Sequence, residues 1–279
     1  MDPKVRRSEW VIFAFLVYAP ALGAILQLHA ARLIVVNALL AAAYAGLIYR
    51  DSLRPSLALS VARDWLPLAF VLLAYREMGW FAVPHTAHPL EARWVAWDRS
   101  LLRAGARTAI ESMGAVVPSV LEICYSVVYA IAPFAVAVLY LYRARDRVDR
   151  FLFIFTVAVL LCYAQFPFWP SDPPRVLFPS QDPPFDTVFR RFNLWMLGNY
   201  GIHTSVFPSA HVAGAFAAAL GIRLALPRVR WVRRFLLAMA ILIATATVYG
   251  RYHYAADVAA GFLVAATSFA LGHWRSLQS

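Results

Sequence analysis

Lysine is almost absent from this 279-residue chain: Lys4 stands alone, and the other 25 of its 26 basic residues are arginine. Any mechanism that needs a lysine inside the body of the protein is excluded. Charge of either sign is scarce, at 15% of residues, where soluble domains carry about 25%. The two cysteines, Cys124 and Cys162, sit in apolar runs and are too few for a disulfide framework, so they read as packing residues. No His-Glu-xx-His segment and no Asp-rich cluster occurs, which removes two common ways of holding a catalytic divalent ion. Internal repeats and low-complexity tracts are also missing, and no stretch is left over for a soluble domain.

Apolar sequence is what the chain has in abundance. At 62% hydrophobic residues and a mean hydropathy of +0.62, its solvent is a bilayer. A hydrocarbon core about 30 Å thick needs roughly 20 apolar residues per helix. Such runs fall near 10–29, 33–49, 65–83, 116–142, 151–169, 208–226, 234–250 and 254–273. The expected fold is therefore an all-α, polytopic membrane helix bundle of about eight transmembrane helices. The first run is too long for a signal-peptide core and is followed by another span, so it reads as a retained helix.

A formal charge of +11 is compatible with nucleic-acid binding, but the arginines fall in short clusters between apolar runs, so no nucleic-acid partner is expected. Threading the spans alternately gathers 16 of the 26 basic residues on the side of both termini, including Arg50, Arg54, Arg63, Arg143, Arg145, Arg147, Arg150, Arg228, Arg230, Arg233 and Arg234. By the positive-inside rule that side is cytoplasmic. The arginine-for-lysine bias suits a GC-rich bacterial genome, hence a bacterial inner membrane with the opposite ends of the spans facing the periplasm. Two outer segments have interfacial character: Phe185, Val188, Phe189, Phe192, Trp195 and Met196 at helical spacing, and Leu90, Trp94, Trp97 and Leu101.

The ionisable groups worth attention gather at the outer ends of three spans. The loop 167–184 holds seven of the 17 prolines and carries Arg175. The sixth span opens with Pro208-Ser209-Ala210-His211, in which Pro208 suits a first helical turn and Ser209 a cap. Free N–H groups there form an anion site, and a histidine beside it can protonate an oxygen leaving phosphorus. The eighth span opens with Arg251-Tyr252-His253-Tyr254-Ala255-Ala256-Asp257. His253 and Asp257, four apart, share one face of a helix that begins there, so the carboxylate can hold one ring nitrogen and leave the other as a nucleophile. Arg175 and Arg251 are the cations available to neutralise phosphoryl oxygens.

This set resembles the type 2 phosphatidic acid phosphatase superfamily, whose second motif is Pro-Ser-small-His and whose third ends in His-xxx-Asp before an apolar, glycine-containing helix. Here those are Pro208-Ser209-Ala210-His211 and His253-xxx-Asp257-Val258-xx-Gly261, within a resemblance covering about 160–265. The resemblance implies that His253 is the nucleophile forming a phosphohistidine, Asp257 orients it, His211 is the general acid, and Ser209 helps bind phosphate, with no metal or other cofactor. The substrate it implies is a membrane lipid phosphate, phosphodiester or diphosphate, with water or a lipid or polyol hydroxyl as acceptor.

Two departures stand out. The family's first motif, a lysine followed by Arg-Pro, cannot exist here, and the third-motif arginine is missing near Thr247. Pro173-Pro174-Arg175 and Tyr249-xxx-His253-Tyr254-xx-Asp257 look instead like the branch containing inositol phosphorylceramide synthases and their bacterial relatives, which moves a phosphorylated head group onto a hydroxyl.

Plainer readings compete. His29, His85, His88, His203 and His273 read as packing or surface residues. A metal site of His211, His253, Asp257 and Asp172 is the chemical rival, opposed by the nearby arginines. Arg76 and Glu77, adjacent on one helix, cannot face each other, which leaves Glu122 as a candidate partner for Arg76. A transporter or flippase of a phosphorylated lipid is the alternative of a different class, but its ionisable groups should cross the membrane rather than cluster at one edge. The expected organisation is an N-terminal three-helix extension with an outer interfacial segment, 1–115, and a catalytic five-helix core, 116–279. The oligomeric state is not set by the sequence.

Overall fold

The computed structural model describes residues 5–83, 85–202, 204 and 206–277; Lys4 and His203 lie outside them. Twelve α-helices are found among the described residues, and no strand. They are α1 (Arg7–Ile25), α2 (Ala30–Leu53), α3 (Leu57–Met78), α4 (Pro89–Leu101), α5 (Arg107–Glu111), α6 (Val116–Leu141), α7 (Val148–Gln165), α8 (Pro174–Leu177), α9 (Val188–Tyr200), α10 (Ala210–Ala225), α11 (Arg230–Tyr249) and α12 (Ala255–Leu277). Seven of these helices are long and apolar enough to cross a membrane, and α10 is a shorter apolar helix of 16 residues. The all-α polytopic bundle expected from the apolar runs is what forms.

α10 is the axis of the bundle. Its Ala213, Ala215, Ala217 and Ala218 are buried, and α7, α11 and α12 pack around it. Small side chains let helix backbones approach closely, which is how association is achieved where lipid is as apolar as the partner helix. The N-terminal helices share this core: Ile12 and Leu16 of α1, Leu33 of α2 and Val71 of α3 belong to one buried cluster with Ile154, Ala158 and Ala213.

One end of the bundle is tied by ions. Arg63 reaches Glu9 at 2.7 Å and Asp51 at 2.8 Å, while Asp64 accepts from Arg6 and Arg145, each at 2.6 Å, and from Tyr140. Asp149 takes the backbone N–H of Arg7 and Ser8, and Arg147 donates to the Ala225 carbonyl at 3.0 Å. The ends of α1, α2, α3, α6, α7 and α10 are thus fastened in one layer, the arginine-rich one. The acidic partners neutralise only part of its charge.

The other end is capped by α4, α5, α8 and α9. In α9, Phe189, Phe192 and Trp195 face outward and Asn193 is buried, so the apolar face is presented to the surroundings, as in a helix lying on a bilayer interface. α4 differs from the expected single apolar stripe: Leu90, Trp97 and Leu101 are exposed, but Trp94 turns inward and stacks on Phe207, 5.1 Å between centroids.

Candidate active site

Three separate segments converge at the capped end. α10 begins at Ala210, one residue after Ser209, whose Oγ accepts the Val212 N–H at 3.4 Å as an N-cap. Pro208 therefore precedes the cap instead of occupying the first turn, and His211 is the second helical residue. α12 likewise begins later than the motif spacing predicts, at Ala255, leaving His253 in the loop ahead of it. His253 Nδ1 still lies 3.2 Å from Asp257 Oδ2, because the loop folds the ring back over the first turn, and the same oxygen accepts the Tyr254 N–H at 2.9 Å.

The two helix starts are locked together by a close approach. The Ser209 N–H donates to the Asp257 carbonyl at 3.1 Å, and a Cβ built on Gly261 would stand 2.5 Å from the Ser209 carbonyl oxygen. Only glycine fits where two backbones meet this closely. That crossing sets the ring centroids of His211 and His253 5.6 Å apart.

His211 is held by aromatic rings: it stacks on Tyr125 with centroids 5.1 Å apart, and its Nε2 lies 3.4 Å from the Tyr129 hydroxyl. Arg175, at the start of the four-residue α8, is fixed through its backbone N–H to the Arg251 carbonyl at 3.0 Å, and its Nη1 points to the Tyr252 carbonyl at 3.4 Å. Burial, followed by the repulsion of Arg175, pushes His253 down to about 3, with the Val206 backbone opposing. The His253 ring is thus neutral at pH 7. Arg175 is itself held below the ordinary arginine range, chiefly by burial and in small part by Arg190.

Arg175, His211 and His253 line one cavity of about 350 Å³, which continues between α3, α6 and α7 past Leu72, Leu68, Val128 and Pro133 as far as Trp65. Ser209 is fully buried and does not line it, and Arg251 does not line it either. Instead Arg251 is 2% exposed and pairs with Asp98 of α4 at 2.9 Å. Asp98, pushed up to about 6 by burial against the pull of Ala255 N–H and Arg251, also accepts that N–H at 2.8 Å.

Several polar groups fall elsewhere than the sequence indicated. Glu122 does not meet Arg76. It receives Arg190 at 3.3 Å, Asn193 at 2.7 Å and the Tyr252 hydroxyl at 2.5 Å, while Arg76 donates to the Tyr200 carbonyl and Glu77 accepts from Asn37. Helix α9, read as resting on the surface, thus sends its polar face into the site. Arg190 and Asn193 could have been found by asking what the polar residues of that amphipathic segment face. Asp172 lies with His85 and His88 rather than with His211 and His253: these three offer ligand atoms within 4.8 Å of one another, and both histidines contact Glu91.

Comparison with curated proteins and with solved structures gives no match. A family model does match: the PAP2 superfamily, over residues 95–271, which takes in the second half of α4 through most of α12. The match begins within α4, shortly before Asp98, and runs past Gly261. The chain belongs to the PAP2 superfamily.

Proposed function

We propose that this integral-membrane protein transfers a phosphoryl-containing group from a lipid phosphate, phosphodiester or diphosphate through a phosphohistidine on His253. The observation that carries this reading is the cavity that joins a two-histidine, one-arginine head to an apolar slot. From Tyr75 to Trp65 the slot follows α3 for ten residues, about 15 Å at 1.5 Å per residue. Leu72 and Tyr129, both exposed, stand on the slot, which gives an acyl or prenyl chain lateral access from the bilayer.

In the first step the free ring nitrogen of His253 attacks phosphorus while Nδ1–H remains on Asp257, which stabilises the charge that develops on the ring. The bond from phosphorus to the leaving oxygen breaks, and His211 supplies that oxygen with a proton. In the second step His211 takes a proton from water or a hydroxyl, the resulting oxygen attacks phosphorus, and the P–N bond returns its electron pair to His253. Arg175 faces the equatorial oxygens throughout. Ser209 contributes by capping α10 and so fixing His211. No ion is needed at phosphorus.

The Pro-Pro-Arg and Tyr-xxx-His-Tyr patterns favour a hydroxyl over water as acceptor, as in the branch that includes the inositol phosphorylceramide synthases. The arginine-rich layer favours a cytoplasmic placement for both termini, which puts the site on the outer face of a bacterial inner membrane. The test is a panel of lipid phosphates, phosphodiesters and diphosphates presented to detergent-purified protein, with and without an added polyol. His253-dependent phosphate release identifies a phosphatase, and His253-dependent movement of a head group identifies a transferase. If neither occurs, the reading fails and lipid transport takes its place.

A further inference from the structure

Beside the histidine cavity lies a second one, also about 350 Å³, lined by Arg175, Arg190 and Arg251 together with Phe178, Pro183 and Leu194. It lies on the side of the proline-rich loop and α9, away from the apolar slot, and shares Arg175 with the histidine cavity. Tyr252 links the arginines: the guanidinium carbons of Arg175 and Arg190 each stand 5.7 Å from its ring centroid.

Three features of this compartment go unexplained by packing. First, Arg190 is paired with Glu122 and Arg251 with Asp98, but Arg175 has no carboxylate partner among the described residues, so positive charge is in excess. Second, Arg251 is almost fully buried, yet its Nε and Nη2 have no hydrogen-bond partner. A buried guanidinium with idle donors is costly, and natural folds do not keep one without return. Third, Arg251 has φ 61°, a left-handed backbone that disfavours a side-chain-bearing residue. Strain of this kind clusters at ligand clamps. An anion with several acceptor oxygens answers the first two, and guanidinium groups match a phosphate bidentately.

We propose that this compartment binds a second phosphate, one carried by a polar polyol group of the reaction, so that the reacting phosphorus sits at His253 and the other phosphate is held by Arg190 and Arg251 with Arg175 between them. The inference rests on the phosphoryl-transfer reading and narrows it to a phosphorylated polyol. That group arrives either as a free acceptor, whose hydroxyl attacks the phosphohistidine, or as the head group of the donor lipid. In both cases its phosphate monoester is bound and unchanged; the bond that breaks is at the phosphorus on His253.

Glycerol 3-phosphate is the probe, titrated calorimetrically into the full chain in detergent as the inactive His253→Ala variant. Saturable binding is expected, weakened at least tenfold by Arg190→Gln. Leu194→Glu should weaken it to the same degree by placing a carboxylate in the compartment without breaking the Arg190–Glu122 pair. Absence of saturable binding, or binding unmoved by Leu194→Glu in a folded protein, overturns the proposal. Wild-type phosphoenzyme then separates the two sources. Faster discharge by glycerol 3-phosphate than by glycerol identifies an acceptor, whereas competition against phosphoenzyme formation without faster discharge identifies a head group. If phosphoenzyme forms and the compartment does not bind, this proposal alone fails. If no donor yields phosphoenzyme, it is the phosphoryl-transfer reading that fails.

Discussion

Asp257 holds His253 Nδ1 at 3.2 Å from within the first turn of α12, although His253 itself lies outside that helix. The carboxylate is fully buried, and its second contact, the Tyr254 N–H, fixes it in place. An asparagine would keep the shape but could present its amide to the ring and favour the wrong tautomer. Asp257→Asn should lower turnover by roughly 10²–10⁴-fold with little change in apparent substrate affinity. Steady-state kinetics on folded protein checks this; a change confined to KM would mean that Asp257 does not orient the nucleophile.

His253 must be neutral to attack, and its folded-state value is pushed down to about 3 by burial and Arg175. The neutral form is present above that value and is lost as pH falls through it. The acid limb of kcat/KM should therefore lie well below the ordinary histidine value of about 6.5. The same shift affects stability: the unfolded chain takes up the proton near pH 6.5 and the folded chain does not, so this contribution is intact above 6.5 and declines as pH falls toward 3. A pH–rate profile with its acid limb at 6.5 or above would contradict the burial of the ring.

Arg175 is the one arginine among the described residues that lines the histidine cavity. Arg175→Ala should slow transfer by about 10²–10³-fold, the usual effect of removing one group that stabilises developing charge. Arg175→Lys should recover only part of the loss, since an ammonium cannot reproduce the guanidinium fork. An unchanged rate for Arg175→Ala would remove the start of α8 from the site.

Gly261 is where α12 crosses the start of α10, with the Ser209 carbonyl oxygen 2.5 Å from any added Cβ. Because the obstacle is backbone, one of the helix starts must shift. Gly261→Ala should cost about 1–3 kcal/mol of stability and should lower turnover by displacing His211 from His253. Thermal unfolding and activity measured together test this; full activity at wild-type stability would show that the helices separate freely.

Much of the fold was legible because a bilayer imposes a length and a composition on each span. All eight apolar runs correspond to helices, with boundaries displaced mainly at α3, which starts at Leu57 near the arginine-rich end. That His211, His253 and Asp257 meet was legible from local spacing, even though both helices begin later than the spacing implies. Arg251 was not: proximity to His253 in sequence said nothing of the direction in which a left-handed residue sends its side chain, and Asp98 lies 153 residues away. The Glu122–Arg190–Asn193–Tyr252 cluster was hidden for a similar reason, since it assembles from three segments whose polar residues have no shared period. The apolar slot depends on α3, which no motif marks, so its link to the histidines appears only once the N-terminal helices are packed on the rest.

The most direct measurement is to trap the covalent intermediate. Purified protein is mixed for milliseconds with a lipid donor carrying radiolabelled phosphorus, quenched in base and analysed by peptide mapping. Label that is stable to base, labile to acid and confined to the peptide containing His253, and absent from His253→Ala, is the predicted result. Turnover by wild-type protein with no label on His253, or label retained in His253→Ala, would contradict the phosphohistidine mechanism.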